Sequence, residues 1–329
     1  MKYRGNLREY ELDSEINKKG GEARLYKIKG DNSHIAKIFK EENRTSFRRE
    51  KIKVMLETKV HPAVFEQVTW PIDILYDGNE FVGYIMDKVE DSVELFDINS
   101  PVYDKDITSL DRLIIAINIC SAVNAVHSTG NIVGDMNSKN ILINPKSLKL
   151  TIVDTDSFVI KKNSKEFRCG VGRPEYIAPE LSRRLHNTDL ERISLPSYTR
   201  ETDNFALAIH IFTLLMNSYH PFSCRMLETA TDSVVWPSKM DNIESGYSPF
   251  LNKREYFDIP KDAPSIDILP DEIQDMFKKA FIDGYKNPAE RPSPEDWRLA
   301  LMKVYNHMEK SGIKYFVKGI LNKIKQRFS

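Results

Sequence analysis

The sequence predicts an α+β fold in which a strand-rich N-terminal part precedes a larger, mainly helical part. Three observations carry that expectation. Short β-prone runs cluster early, at residues 12–30, 34–39 and 81–89. Longer segments with apolar residues at helical spacing lie at 46–58 and 111–128. Between the second helix and the C-terminal third sits one tight hairpin, Asn140 to Asn144 and Leu148 to Val153 around Pro145-Lys146-Ser147. A chain of 329 residues can bury one large core or two medium ones.

The hairpin gathers polar residues at one end. Asp135 and Asn140 precede its first strand, and Asp154 and Asp156 follow its second. Antiparallel pairing therefore brings three carboxylates and a carboxamide together, and an all-oxygen set suits a hard cation such as Mg²⁺ better than zinc.

Bulk properties exclude several alternatives. Lysine plus arginine equals aspartate plus glutamate at 48 each, so no global field points to nucleic acid or membrane as the main partner. Cys120, Cys169 and Cys224 are widely spaced and odd in number, giving neither a disulfide framework nor a zinc pattern; a reducing cytoplasm is expected. No apolar run is expected to reach the ~20 residues of a membrane span, and the N-terminus has no signal-peptide core.

The residues at the hairpin also carry a family resemblance. Asp135 with Asn140 five residues on is similar to the catalytic loop of Hanks-type protein kinases, and Asp154 stands where the aspartate of their D-F-G follows. Downstream, in the same order as in that family, come Ala178-Pro179-Glu180, Asp203-Asn204-Phe205-Ala206-Leu207, and Arg291, which resembles the arginine that pairs with the glutamate of A-P-E. The bacterial branch it most resembles includes members with a helix-hairpin-helix nucleic-acid module, and none is seen here. The resemblance implies a two-lobed protein-kinase-like fold, with a small lobe over 1–87 and a large lobe over 88–308. It further implies ATP- and Mg²⁺-dependent phosphorylation of serine or threonine on a protein substrate, reversed by a cognate phosphatase. Asp135 then acts as base, and Asn140 and Asp154 as metal ligands.

Other assignments follow from the resemblance in chain order. Residues 18–26 resemble a glycine-rich phosphate-covering loop that keeps only its second glycine, Gly20, followed by Gly21; an ordinary hairpin is the alternative. Leu25 and Ile35 flank the expected nucleotide site. Lys37, on the apolar strand His34–Phe39, is the expected phosphate lysine, with Lys40 as rival. Its expected partner is Glu50 on the next helix, with Glu57 as runner-up. Met86 is the expected gatekeeper, with hinge main chain near Asp87 and Val89. His127 is expected to be a buried structural histidine.

The pattern departs from the family at four places. Val133-Gly134 replaces His-Arg, Thr155-Asp156 replaces Phe-Gly, Asn137 stands where a γ-phosphate lysine is usual, and Arg173 stands in place of a threonine. Arg173 is expected either to supply the cation Asn137 lacks or to be a surface ion-pair residue. A nucleotide-binding pseudokinase scaffold is the alternative function, and a small-molecule kinase a third. Beyond the resemblance, residues 309–329 predict a basic amphipathic helix that either docks on the large lobe or contacts an anionic membrane or partner; membrane contact is expected through it alone.

Overall fold

The computed structural model describes residues 1–17, 21–58, 66–99, 103, 107–162, 165–186, 198–231 and 233–311. Its first part is an antiparallel barrel of β1 (Lys2–Arg4), β2 (Glu9–Asn17), β3 (Ala23–Ile28), β4 (Asp31–Phe39), β5 (Pro71–Asp77) and β6 (Glu80–Asp87). The strand order is β1-β2-β3-β4-β6-β5. Alternating side chains fill the barrel, among them Tyr10, Tyr26, Ile38, Leu75 and Val82. At Gly83 a Cβ would fall 2.0 Å from the carbonyl oxygen of Lys37. Only glycine permits that approach, which sets Lys37 opposite Tyr84.

Helix α1 (Ser46–Glu57) begins at Thr45, whose side chain accepts the Arg48 N–H. It is tied to the segment before β5 by Trp70, whose Nε1 donates to the Met55 carbonyl at 2.9 Å.

The second part is organised on α2 (Ser109–Ser128), opened by a reciprocal Thr108–Asp111 capping box. Contrary to the sequence expectation, this helix is long and apolar enough to cross a membrane. Its setting identifies it as a core helix: Leu113, Ile115, Ile119, Val123 and Val126 are buried, and α4 (Arg200–Leu215) and α7 (Pro294–Ser311) pack on it. Between α2 and α4 lies α3 (Pro179–His186), and α5 (Lys239–Glu244) and α6 (Asp271–Lys278) lead to α7. Phe212, Phe277, Phe281 and Trp297 form a continuous aromatic contact at this core.

The expected hairpin is present as β8 (Ile141–Ile143) and β9 (Leu150–Ile152), joined by β7 (Val93–Glu94) in a three-stranded sheet. Its strands are shorter than expected because Asn144 turns the chain, its side-chain oxygen accepting the N–H groups of Lys146 and Ser147. Gly20 and residues 312–329, most of the expected amphipathic tail, lie outside the described residues.

Candidate active site

The loop from Val133 to Asn140 is pinned from below by one buried carboxylate. Asp203 accepts the N–H of Val133 at 2.8 Å and of Gly134 at 2.9 Å, while His127 Nε2 lies 2.8 Å from the same group. His127 is thus the buried structural histidine expected. Gly134 has φ +75°, and a Cβ there would lie 2.9 Å from the Cβ of Cys169. A side chain here would be strained and would have to displace Cys169 or the loop.

Asp135 is held on both oxygens. Asn137 Nδ2 donates to Oδ1 at 2.9 Å and Asn140 Nδ2 to Oδ2 at 3.2 Å, with a further bond from Asn140 to the Asp135 carbonyl at 3.0 Å. Burial raises the pKa of Asp135 above the ordinary carboxylate value, against the pull of Asn137, Asn140 and Arg173. Asn137 is buried, and its own oxygen accepts the Lys139 N–H at 3.0 Å. It orients the acid, a role the sequence did not suggest.

Lys37 is buried on β4 and bonds both Asp154 and Asp156. Burial opposes its charge, but the two carboxylates outweigh burial and lift the ammonium above its usual pKa. Asp156 also accepts from the Tyr84 hydroxyl at 2.7 Å, and its pKa is lowered despite burial because Lys37 and Tyr84 bind the charged form. The rival, Lys40, lies just past the end of β4, where its backbone N–H donates to the Glu22 carbonyl.

The expected Lys37–Glu50 pair is not formed. Glu50 is exposed and lies 3.4 Å from Lys165, and Glu57 lies 2.8 Å from Lys162. The inward stripe of α1 is Lys51, Ile52 and Met55, with Arg48 one turn before Ile52. Glu50, two residues from Ile52, falls on the opposite side. The helix therefore turns cations inward: Arg48 Nη1 is 3.8 Å from Asp156, and burial pushes Lys51 down to about 8 despite Asp156 and Cys169 nearby. Lys37 therefore pairs with Asp156 and Asp154 and with no glutamate of α1.

Thr155, in place of an aromatic switch residue, is fully buried and donates to the Thr69 carbonyl at 2.7 Å. Asp154 itself adopts the left-handed conformation, φ 63°. Burial raises its pKa, with Lys37 opposing. Among the described residues, the amide oxygen of Asn140 and the second carboxylate oxygen of Asp154 receive no hydrogen bond. Two hard oxygens open to a cation fit Mg²⁺ that takes its remaining ligands from phosphate and water.

The strands place the other expected residues around Lys37. Leu25 faces it in the ladder, Ile35 pairs with Met86, and Asp87 pairs with His34 at the strand end before Val89. Gly21 is exposed, with open space where a side chain would stand. Arg173 is exposed and reaches Asp135 through its charge and its backbone N–H. Further down, Arg291 grips Glu180 with two parallel bonds of 2.7 and 2.8 Å, the pair expected from the sequence.

Comparison with known proteins agrees with this fold. A model of the protein kinase domain matches residues 19–307. Protein kinase YegI of Escherichia coli K12 is 28% identical over 298 residues, covering 89% of the chain and 44% of YegI. The chain thus spans less than half the length of that relative. The meiosis-specific serine/threonine-protein kinase mek1 of Schizosaccharomyces pombe is 28% identical over 40% of the chain and 31% of its own length. In fold, the Cydia pomonella granulovirus kinase PK-1 superposes with a TM-score of 0.56 at 17% identity, covering 88% of this chain and 92% of that one.

Proposed function

The chain belongs to the protein kinase domain family, and from that premise we propose that it is an ATP- and Mg²⁺-dependent kinase phosphorylating serine or threonine hydroxyls of a protein, its own chain included. The observation that carries this reading is the Asp135 carboxylate, fixed on both oxygens by Asn137 and Asn140 and within electrostatic reach of Asp154. An attacking hydroxyl must give up its proton, and Asp135 is the group oriented to accept it. Mg²⁺ bound at Asn140 and Asp154 supplies neutralisation of phosphate charge. Lys37 provides the buried cation for the phosphates, and Asp156 fixes its position. Arg173 adds positive charge beside Asp135. Leu25, Ile35 and Met86 offer apolar surface to a purine, with main-chain groups near Asp87 and Val89 to bond its edge. All three cysteines are free, which supports a reducing, cytoplasmic setting.

The absence of an inward glutamate on α1 favours a second reading, a scaffold that binds nucleotide without transfer. Incubation with Mg-ATP separates the two. Incorporation of γ-phosphate, mapped to serine or threonine by mass spectrometry and lost in Asp135→Asn, supports the kinase. Nucleotide binding with no incorporation leaves the scaffold.

A further inference from the structure

Below the catalytic loop lies a cavity of about 360 Å³ whose charge is one-sided. Lys139 enters it from the loop itself, Arg173 from the segment that approaches Asp135, and Lys239 from the first turn of α5. Glu175 is the one acidic residue in its lining. The two histidines there carry no positive charge at neutral pH: burial pushes His210 down to about 4 and His220 to about 3. They are held instead as props, with His210 Nε2 3.1 Å from the Met136 carbonyl and His220 Nε2 3.1 Å from the Glu175 carbonyl.

The three cations are exposed, and none forms an ion pair among the described residues. Elsewhere on the surface cations are commonly matched, as Lys29 is by Glu11 and Lys303 by Glu272. A second cavity of about 370 Å³, lined by Glu11, Asp13, Lys27, Lys29 and Asp31, carries both signs. The excess positive charge is therefore local to the catalytic loop, in a chain with no net charge.

We propose that this cavity selects protein substrates whose acceptor hydroxyl is flanked by anionic side chains, Asp, Glu or an already phosphorylated residue. The inference rests on the kinase reading for its acceptor and on the cavity for its charge. A segment presenting a hydroxyl to Asp135 must run past Lys139 and Arg173, which lie within four residues of that acid or touch it. Anionic flanks meet three exposed cations there, and basic flanks meet like charge, so discrimination arises from attraction and repulsion together. Lys139 already lies 5.6 Å from the ring of the exposed Phe96, giving the cavity an apolar edge against which a segment can lie.

The test uses short fluorescent peptides, each with one serine, flanked by Asp, by phosphoserine, by Ala or by Lys. Binding to the full chain is read by anisotropy, and transfer by γ-phosphate incorporation. The Asp-flanked or phosphoserine-flanked peptide is expected to bind at least about tenfold tighter than the Lys-flanked one. The Lys139→Glu/Lys239→Glu variant is expected to reverse that order, and Lys27→Glu, at the other cavity, to leave it unchanged. Whichever anionic peptide binds tighter identifies carboxylate or phosphoryl as the preferred group. Equal binding of all four, a basic preference, or the same loss in Lys27→Glu overturns the inference. Selective binding without transfer to any peptide upholds the inference and rejects the kinase reading; transfer to all peptides alike does the reverse.

Discussion

Oδ1 of Asp156 lies 2.5 Å from Nζ of Lys37 and accepts the Tyr84 hydroxyl at 2.7 Å, so the buried Lys37 is paired from the chain after β9 and not from α1. Asp156→Asn should lower kcat/KM for ATP by about a hundredfold, since a misplaced reacting group costs that much. Asp156→Glu should restore part of it. Glu50→Gln should change neither KM nor kcat appreciably, because Glu50 meets only an exposed lysine. Steady-state kinetics of the three variants checks the assignment, and a large loss in Glu50→Gln with none in Asp156→Asn refutes it.

Gly134 sits where its relatives by resemblance carry arginine, yet at its φ of +75° a side chain would be strained and would have to displace Cys169 or the loop. Gly134→Arg should destabilise by about 3 kcal/mol, combining left-handed strain with overpacking. Thermal melting should show a Tm lower by several degrees. An unchanged Tm means that the loop relaxes and that glycine was not required.

The fold and the order of the site were legible in the sequence because they depend on local patterns. The apolar runs of β4 and β6 and the turn in the Asn140–Val153 hairpin each leave a short signature, and the Glu180–Arg291 pair was legible through the family resemblance. The expected Lys37–Glu50 pair fails because α1 turns Glu50 away from Lys37. Ile52 and Met55 fix the inward stripe, and Arg48 and Lys51 stand on it at helical spacing, so the orientation was available. Asp156 was seen as an added carboxylate near the metals, but its bond to Lys37 depends on a left-handed Asp154 and a buried Thr155, neither of which has a local sequence signal. The role of Asn137 is hidden for the same reason: a two-residue turn decides whether it faces phosphate or Asp135.

His210 should make stability fall in acid. It is buried, bonded to the Met136 carbonyl and stacked on Tyr176 at 4.8 Å, with its pKa pushed down to about 4 from an unfolded value near 6.5. Above pH 6.5 the ring is neutral in both states and its contribution is intact. As pH falls from 6.5 towards 4 the unfolded chain takes up a proton that the folded chain refuses, and stability drops by up to about 1.4 kcal/mol per pH unit for this group. His210→Gln keeps a donor for Met136 without titrating. Denaturant midpoints between pH 7 and 4.5 should therefore fall less steeply in the variant; identical slopes would show that His210 does not contribute to acid sensitivity.

Arg173 and Asn137 were expected to trade one cation between two places, and their surroundings give a different outcome for the double variant. Arg173 approaches Asp135 through its backbone N–H as well as its charge, so Arg173→Thr removes the charge and keeps the main-chain contact. A loss of about tenfold in kcat is expected if the guanidinium stabilises developing charge, a modest effect for an exposed cation. Asn137→Lys supplies a cation but removes the donor to Asp135 Oδ1 and the acceptor for the Lys139 N–H. It also buries an ammonium at a position that is 3% exposed. Asn137→Lys should therefore be worse than Arg173→Thr alone, and the double variant worse than either, with no recovery. Measured kcat for the two singles and the double decides it. Recovery in the double would mean that residue 137 can swing out to a phosphate and that its bond to Asp135 is dispensable; losses that simply multiply would mean the two residues serve separate tasks, one orienting the base and the other supplying charge.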